Sequence, residues 1–214
     1  MASQPTNTII CPALSLLPPD TPPDLFASEI SFFASLPWTA ALLASPETIP
    51  FLPSCRNPES SSHDQFFGHT LNNARGLSHL ISFFRAPSVA AAKDPARSIT
   101  ETVTLVSVGD GVSGFPGLVH GGIVASLLDE SMGTIFDLNG ALAKEARAFR
   151  TGSVTGGLEV TYLRPVLTNN VFCITSTVEE FDGRKTKVRC VLKDEKGEVL
   201  ANCSSKWVAL KSKL

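Results

Sequence analysis

A single long apolar run with helical spacing, GGIVASLLDESMGTIF from Gly121 to Phe136, stands among stretches that otherwise read as strands. With no second long helix to pack on, its apolar face has to be covered by a sheet, which makes the chain α+β. The helix is entered through a glycine-rich loop, GFPGLVHGG, and Asp129 sits within its apolar run. A carboxylate there needs a reason. The first amides of a helix lack intrahelical partners and carry partial positive charge, so Gly121 and Gly122 can face a carbonyl oxygen that is becoming an anion. Glycine at those positions lets a reactant come close to the backbone.

The flanking segments supply the sheet. Residues 76–85 (GLSHLISFFR) and 98–108 (SITETVTLVSV) are rich in apolar and β-branched residues, and the linker between them, APSVAAAKDPAR, reads as a loop. After the helix come four more strand candidates, residues 157–165, 171–181, 185–194 and 198–209. Asp182-Gly183 and Glu195-Lys196-Gly197 are turn signals, so the last three strands form an antiparallel meander. Residues 1–72 differ in composition, with eleven of the fifteen prolines and six acidic residues against the single basic Arg56. They read as an arm of extended segments with one helix, PDLFASEISFFAS, ended by Leu36-Pro37-Trp38. The expected organisation is an arm over 1–72, one α+β domain over 73–210 and a tail over 211–214.

Composition excludes several classes of function. A net charge of −2 and a pI near 6.1 leave no polybasic footprint for nucleic acid or an anionic membrane. Cys11, Cys55, Cys173, Cys190 and Cys203 are an odd set without C-x-x-C spacing, and read as reduced, mostly buried thiols. His63, His69 and His79 lack the spacing of metal ligands, and neither Ser126 nor Ser131 lies in a G-x-S-x-G elbow. The N-terminus resembles neither a secretory signal nor a membrane span. Ser212-Lys213-Leu214 matches the tripeptide read by the peroxisomal import receptor, which makes that compartment the expected location.

The segments GFPGLVHGGIVASLLDESMG, GLEVTYLRP and GRKTKVRCVLKDEKGEVLANCSSKWV together resemble the hotdog-fold thioesterases of the 4-hydroxybenzoyl-CoA thioesterase superfamily. The nearest likeness is to the phenylacetate-pathway-type branch and its eukaryotic relatives with an N-terminal arm. The resemblance covers about residues 75–210. It implies an antiparallel sheet wrapped around one central helix, dimers or dimers of dimers whose sheets join edge to edge, and hydrolysis of acyl-CoA or carrier-bound acyl thioesters without metal or organic cofactor. It implies further that Gly121 donates to the thioester carbonyl, that Asp129 is the catalytic carboxylate, and that His120 supports the loop and helps hold the carbonyl or leaving group. Thr155 stands where relatives have a Ser or Thr that positions water. Gly114 departs from the Asn or Gln common six residues before the histidine.

Spacing adds a constraint of its own. Eight residues at about 1.5 Å rise place Asp129 roughly 12 Å along the helix from Gly121, so one thioester carbon cannot touch both from the same chain. A site made of both needs a dimer with antiparallel helices. Gly122, beside the donor, is a substrate-binding candidate, and Arg150, Arg164, Arg184 and Lys185 are candidates for the phosphates of coenzyme A. Ile123, Leu127, Phe136, Val160 and Leu163 are expected to line an apolar acyl pocket. Glu130 reads as an ordinary carboxylate of a solvated helix face and Asp137 as a helix-end residue. A catalytically silent acyl-binding module and a hotdog hydratase or dehydratase are the alternative readings.

Overall fold

The computed structural model describes residues 8–19, 21–58 and 63–211, so Ser212-Lys213-Leu214 lies outside the described residues. In chain order the elements are α1 (Leu25–Ala34), α2 (Pro37–Leu43), β1 (Thr48–Phe51), β2 (Leu77–Arg85), α3 (Val89–Lys93) and β3 (Glu101–Val108). A small hairpin follows, β4 (Ser113–Phe115) and β5 (Leu118–Val119), and leads into α4 (Gly121–Ala141). The chain then runs through β6 (Ser153–Tyr162), β7 (Asn170–Asp182), β8 (Lys185–Lys193) and β9 (Val199–Ala209). Seven strands form one antiparallel sheet in the order β1-β2-β3-β7-β8-β9-β6.

The expected β7-β8-β9 meander is present, turned at Gly183 and Gly197, whose φ values of 60° and 79° suit glycine. Strand alternation sends the sheet's two faces into two different layers. Leu80, Val106, Phe172, Ile174, Val188 and Cys203 pack on Val124, Leu127, Leu128, Met132 and Ile135 of α4. Ile81, Phe83, Val103 and Leu105 point the other way and meet Phe33 of α1, with Phe26, Ile30, Trp38 and Leu42 packed around them. The sheet is therefore sandwiched between α4 and the arm helices.

Three local expectations need correcting. The arm holds two helices rather than one: α1 ends at Ala34, before Leu36-Pro37-Trp38 as expected, and Pro37 then opens α2 at its first turn, where the missing N–H costs nothing. The linker after β2 contains α3, which starts because the Ser88 side chain accepts from Ala91 N at 3.1 Å. And α4 continues five residues past Phe136 to Ala141. Asn139 anchors that extension: its amide accepts from Ile99 N and donates to Ile99 O, both at 2.8 Å, so the helix end is tied to the segment entering β3.

The arm is fixed to the sheet by buried charge. β1 stops with Phe51 opposite Ser82, leaving the β2 edge uncovered below that point. Glu29 of α1 fills the gap: Oε2 accepts from Leu80 N at 3.0 Å and contacts His79 Nδ1 at 3.1 Å. Its Oε1 faces Arg56 Nη2 at 3.7 Å, and Arg56 Nη1 donates to Leu77 O at 3.0 Å. Glu29 and Arg56 are both buried.

Candidate active site

The loop before α4 is built around close approach. Val119 N donates to Val166 O and His120 N to Val112 O, which hold the β4-β5 hairpin over the helix start. A Cβ on Gly114 would lie 3.1 Å from both His120 Cα and Cδ2, so the departure at this position has a steric reason: the hairpin folds against the histidine. His120 is the N-cap of α4, and its Nδ1 accepts from Gly122 N at 3.0 Å. That role requires an unprotonated Nδ1, leaving Nε2–H to point elsewhere. With Gly122 N spent on the cap, Gly121 N–H is the donor of this entry that has no protein acceptor among the described residues.

Asp129 lies two turns further along, half-buried, after the buried Leu127-Leu128 pair. Thr155 of β6 donates from Oγ1 to Asp129 Oδ1 at 2.8 Å. That bond fixes one carboxylate oxygen and leaves Oδ2 for a water or a substrate. Thr155 thus acts on the carboxylate from its own chain. At the other end of β6, Tyr162 Oη donates to Gly121 O at 2.8 Å. The structure brings His120, Gly121, Gly122, Asp129 and Thr155 onto one ribbon made of α4 and β6.

The basic candidates are placed differently. Arg164 lies just beyond β6, paired with Glu198 at 3.1 Å and donating to Val199 O. Arg184 spends both Nε and an Nη on Ala209 O, at 3.0 and 2.6 Å, and Arg150 Nε donates to Glu145 O. Lys185 is exposed at the start of β8. Of the expected pocket residues, Leu127 and Phe136 are buried in the helix-sheet core with Ile123 and Val160 packed at its margin, while Leu163 is exposed. Those two fill the core rather than line a space beside the helix.

Glu130 also departs from its expectation. It is half-buried, and the buried Cys55 thiol of the arm interacts with it. Burial, reinforced by the nearby Asp137, Asp64 and Asp129 carboxylates against the Cys55 hydrogen bond, pushes Glu130 up to about 7. Asp137 is exposed on the same helix. Among the described residues, no group of three or more His, Cys, Asp and Glu side chains is arranged to hold a metal ion.

Comparison with known proteins places this geometry in a family. The model of the thioesterase superfamily matches residues 116–201, which run from the β4-β5 turn through α4 into β9. Verlamelin biosynthesis protein B of Lecanicillium sp is 32% identical over 168 residues, covering 69% of this chain and 73% of that protein. Mouse acyl-coenzyme A thioesterase THEM4 is 32% identical over 97 residues, and the chain spans only 37% of its length. The crystal structure of zebra fish thioesterase superfamily member 2 shares the fold at a TM-score of 0.52 and 16% identity, over 74% of this chain and 94% of that one. With a sheet wrapped on one long helix, a glycine entry to that helix and a match running through both, this chain belongs to the thioesterase superfamily and has its hotdog fold.

Proposed function

We propose that this protein hydrolyses acyl thioesters, with acyl-CoA as the first class to test. The observation that carries the reading is an unspent helix N-terminal donor, Gly121 N–H, on the same helix as a carboxylate oriented by Thr155. Gly121 N–H stabilises the oxyanion formed when the thioester carbonyl is attacked. Asp129 takes the proton of the attacking water, or attacks the carbonyl itself to give a mixed anhydride; in either case the C–S bond breaks and the thiol leaves. Because Gly121 and Asp129 lie roughly 12 Å apart on one helix, each site takes its donor from one protomer and its carboxylate from the partner. The acyl-coenzyme A thioesterase name of the mouse relative favours coenzyme A as the thiol. Ser212-Lys213-Leu214 supports a peroxisomal location, tested by whether a fluorescent fusion loses peroxisomal import when those residues are masked.

A screen of free-thiol release across acyl-CoA chain lengths, run with Asp129→Asn alongside, tests substrate, activity and site together. The expected result is turnover by the wild type and a loss of at least about a thousandfold in kcat for the variant, with substrate binding retained. Near-wild-type turnover of Asp129→Asn removes that residue from the chemistry, and binding without turnover by the wild type favours a silent acyl-binding module. Single turnover in 18O-labelled water tests the anhydride route, since unlabelled product forms only when water opens the anhydride at the Asp129 carbonyl and leaves the label on the aspartate.

A further inference from the structure

We infer that Tyr162 is a positioning residue of this site, holding the peptide that follows the Gly121 donor; the inference rests on the thioesterase reading above. Two adjacent glycines at a helix entry leave the peptide between them free to rotate. Here that peptide, the Gly121 carbonyl joined to the Gly122 amide, is gripped at both ends. Tyr162 Oη donates to its oxygen at 2.8 Å, and its N–H donates to His120 Nδ1 at 3.0 Å. The preceding peptide, which carries Gly121 N–H, is tied separately through His120 O, which accepts from Ile123 N and Val124 N at 2.9 and 3.1 Å. With its neighbours held, the direction of Gly121 N–H is fixed before any substrate arrives, and preorganisation of this kind is what makes an oxyanion donor effective.

The register of β6 supports a built arrangement. Thr155 and Tyr162 are seven residues apart, and strict alternation puts residues an odd number apart on opposite faces of a strand. A bulge intervenes: Thr155 pairs with Trp207 and Gly157 with Lys206, so Gly156 is the extra residue. After it, Tyr162 pairs with Ala201, and Ala201, Cys203, Ser205 and Trp207 of β9 form the buried, helix-facing set. The bulge thereby returns Thr155 and Tyr162 to one face, where the first reaches Asp129 and the second reaches Gly121. The tyrosine ring also closes over the entry, since a Cβ on Gly121 would lie 3.5 Å from its Cζ. Tyr162 is 53% exposed, so core packing does not account for its presence.

Tyr162→Phe keeps the ring and removes the O–H, which makes it the informative variant. Its kcat on the best acyl-CoA of the screen is expected to fall about five- to tenfold with KM unchanged, the size of one lost hydrogen bond. Amide hydrogen exchange of residues 122–125 is expected to rise in the same variant. Exchange equal to wild type overturns the proposal whatever kcat does, because the peptide is then not held by the hydroxyl. Faster exchange with unaltered kcat overturns it as well, because the held geometry then has no bearing on turnover. If the wild type hydrolyses no thioester, the proposed function falls, and the exchange measurement alone upholds or overturns the clamp.

Discussion

Glu130 stands next to Asp129 in the sequence but differs from it in chemistry. Burial among other carboxylates favours its neutral form in the fold, while the unfolded chain returns it to an ordinary value near 4.5. The sign follows: the folded state binds more protons between those values, so this contribution to stability is complete below about 4.5 and is lost as pH rises through about 7. Glu130→Gln is therefore expected to be more stable than wild type at pH 8, by on the order of 1 kcal/mol for a half-buried group, with little difference at pH 4.5. Urea denaturation at both pH values checks this, and an equal effect at the two rules the titration out. Asp129 and Gly121 were legible in the sequence because a carboxylate in an apolar run and a glycine pair at a helix entry are local anomalies. Glu130 and Tyr162 were not. What sets the first is burial in the folded chain, and what aims the second is a strand bulge, and neither leaves a local mark.

Among the elements, the arm shows how far periodicity carries. The strands β2, β3 and β6 to β9 and the central helix were readable because alternation and helical spacing are imposed by burial on the faces of a sheet, whereas the short β4 and β5 lie in what reads as a glycine-rich loop. The arm's contribution was not, because β1 is four residues long and its attachment depends on one buried carboxylate rather than on a pattern. Glu29→Ala is expected to cost about 3 kcal/mol, since it strands the buried Arg56 guanidinium and leaves Leu80 N–H without its acceptor. The double variant Glu29→Leu/Arg56→Met removes both charges and is expected to recover a substantial part of that loss. Equilibrium denaturation of the three proteins decides it: if the single variant matches wild type, the ion pair does not hold the arm.

For the whole molecule, the decisive feature is the outer edge of β6. Among the described strands it pairs with β9 alone, and it carries Val154, Leu158 and Tyr162 at 48%, 39% and 53% exposure. An open edge with apolar side chains and free backbone groups is a surface made to be covered. The same strand orients Asp129 and holds Gly121, so a second copy docked on it would bring a foreign helix to both. That arrangement is testable without a structure of the assembly. Gly121→Pro deletes the donor N–H at the first helical position, where proline is tolerated, and Asp129→Asn deletes the carboxylate. Each variant alone is expected to be inactive. In a dimer with sites shared between chains, a protomer of each kind makes one intact and one doubly defective site. Half of randomly assorted dimers are of this mixed kind, so co-expression is expected to restore about a quarter of wild-type activity. Sites confined to single chains would instead leave the mixture as inactive as either parent, and that result would sink the shared site while leaving the chemistry of Asp129 untouched.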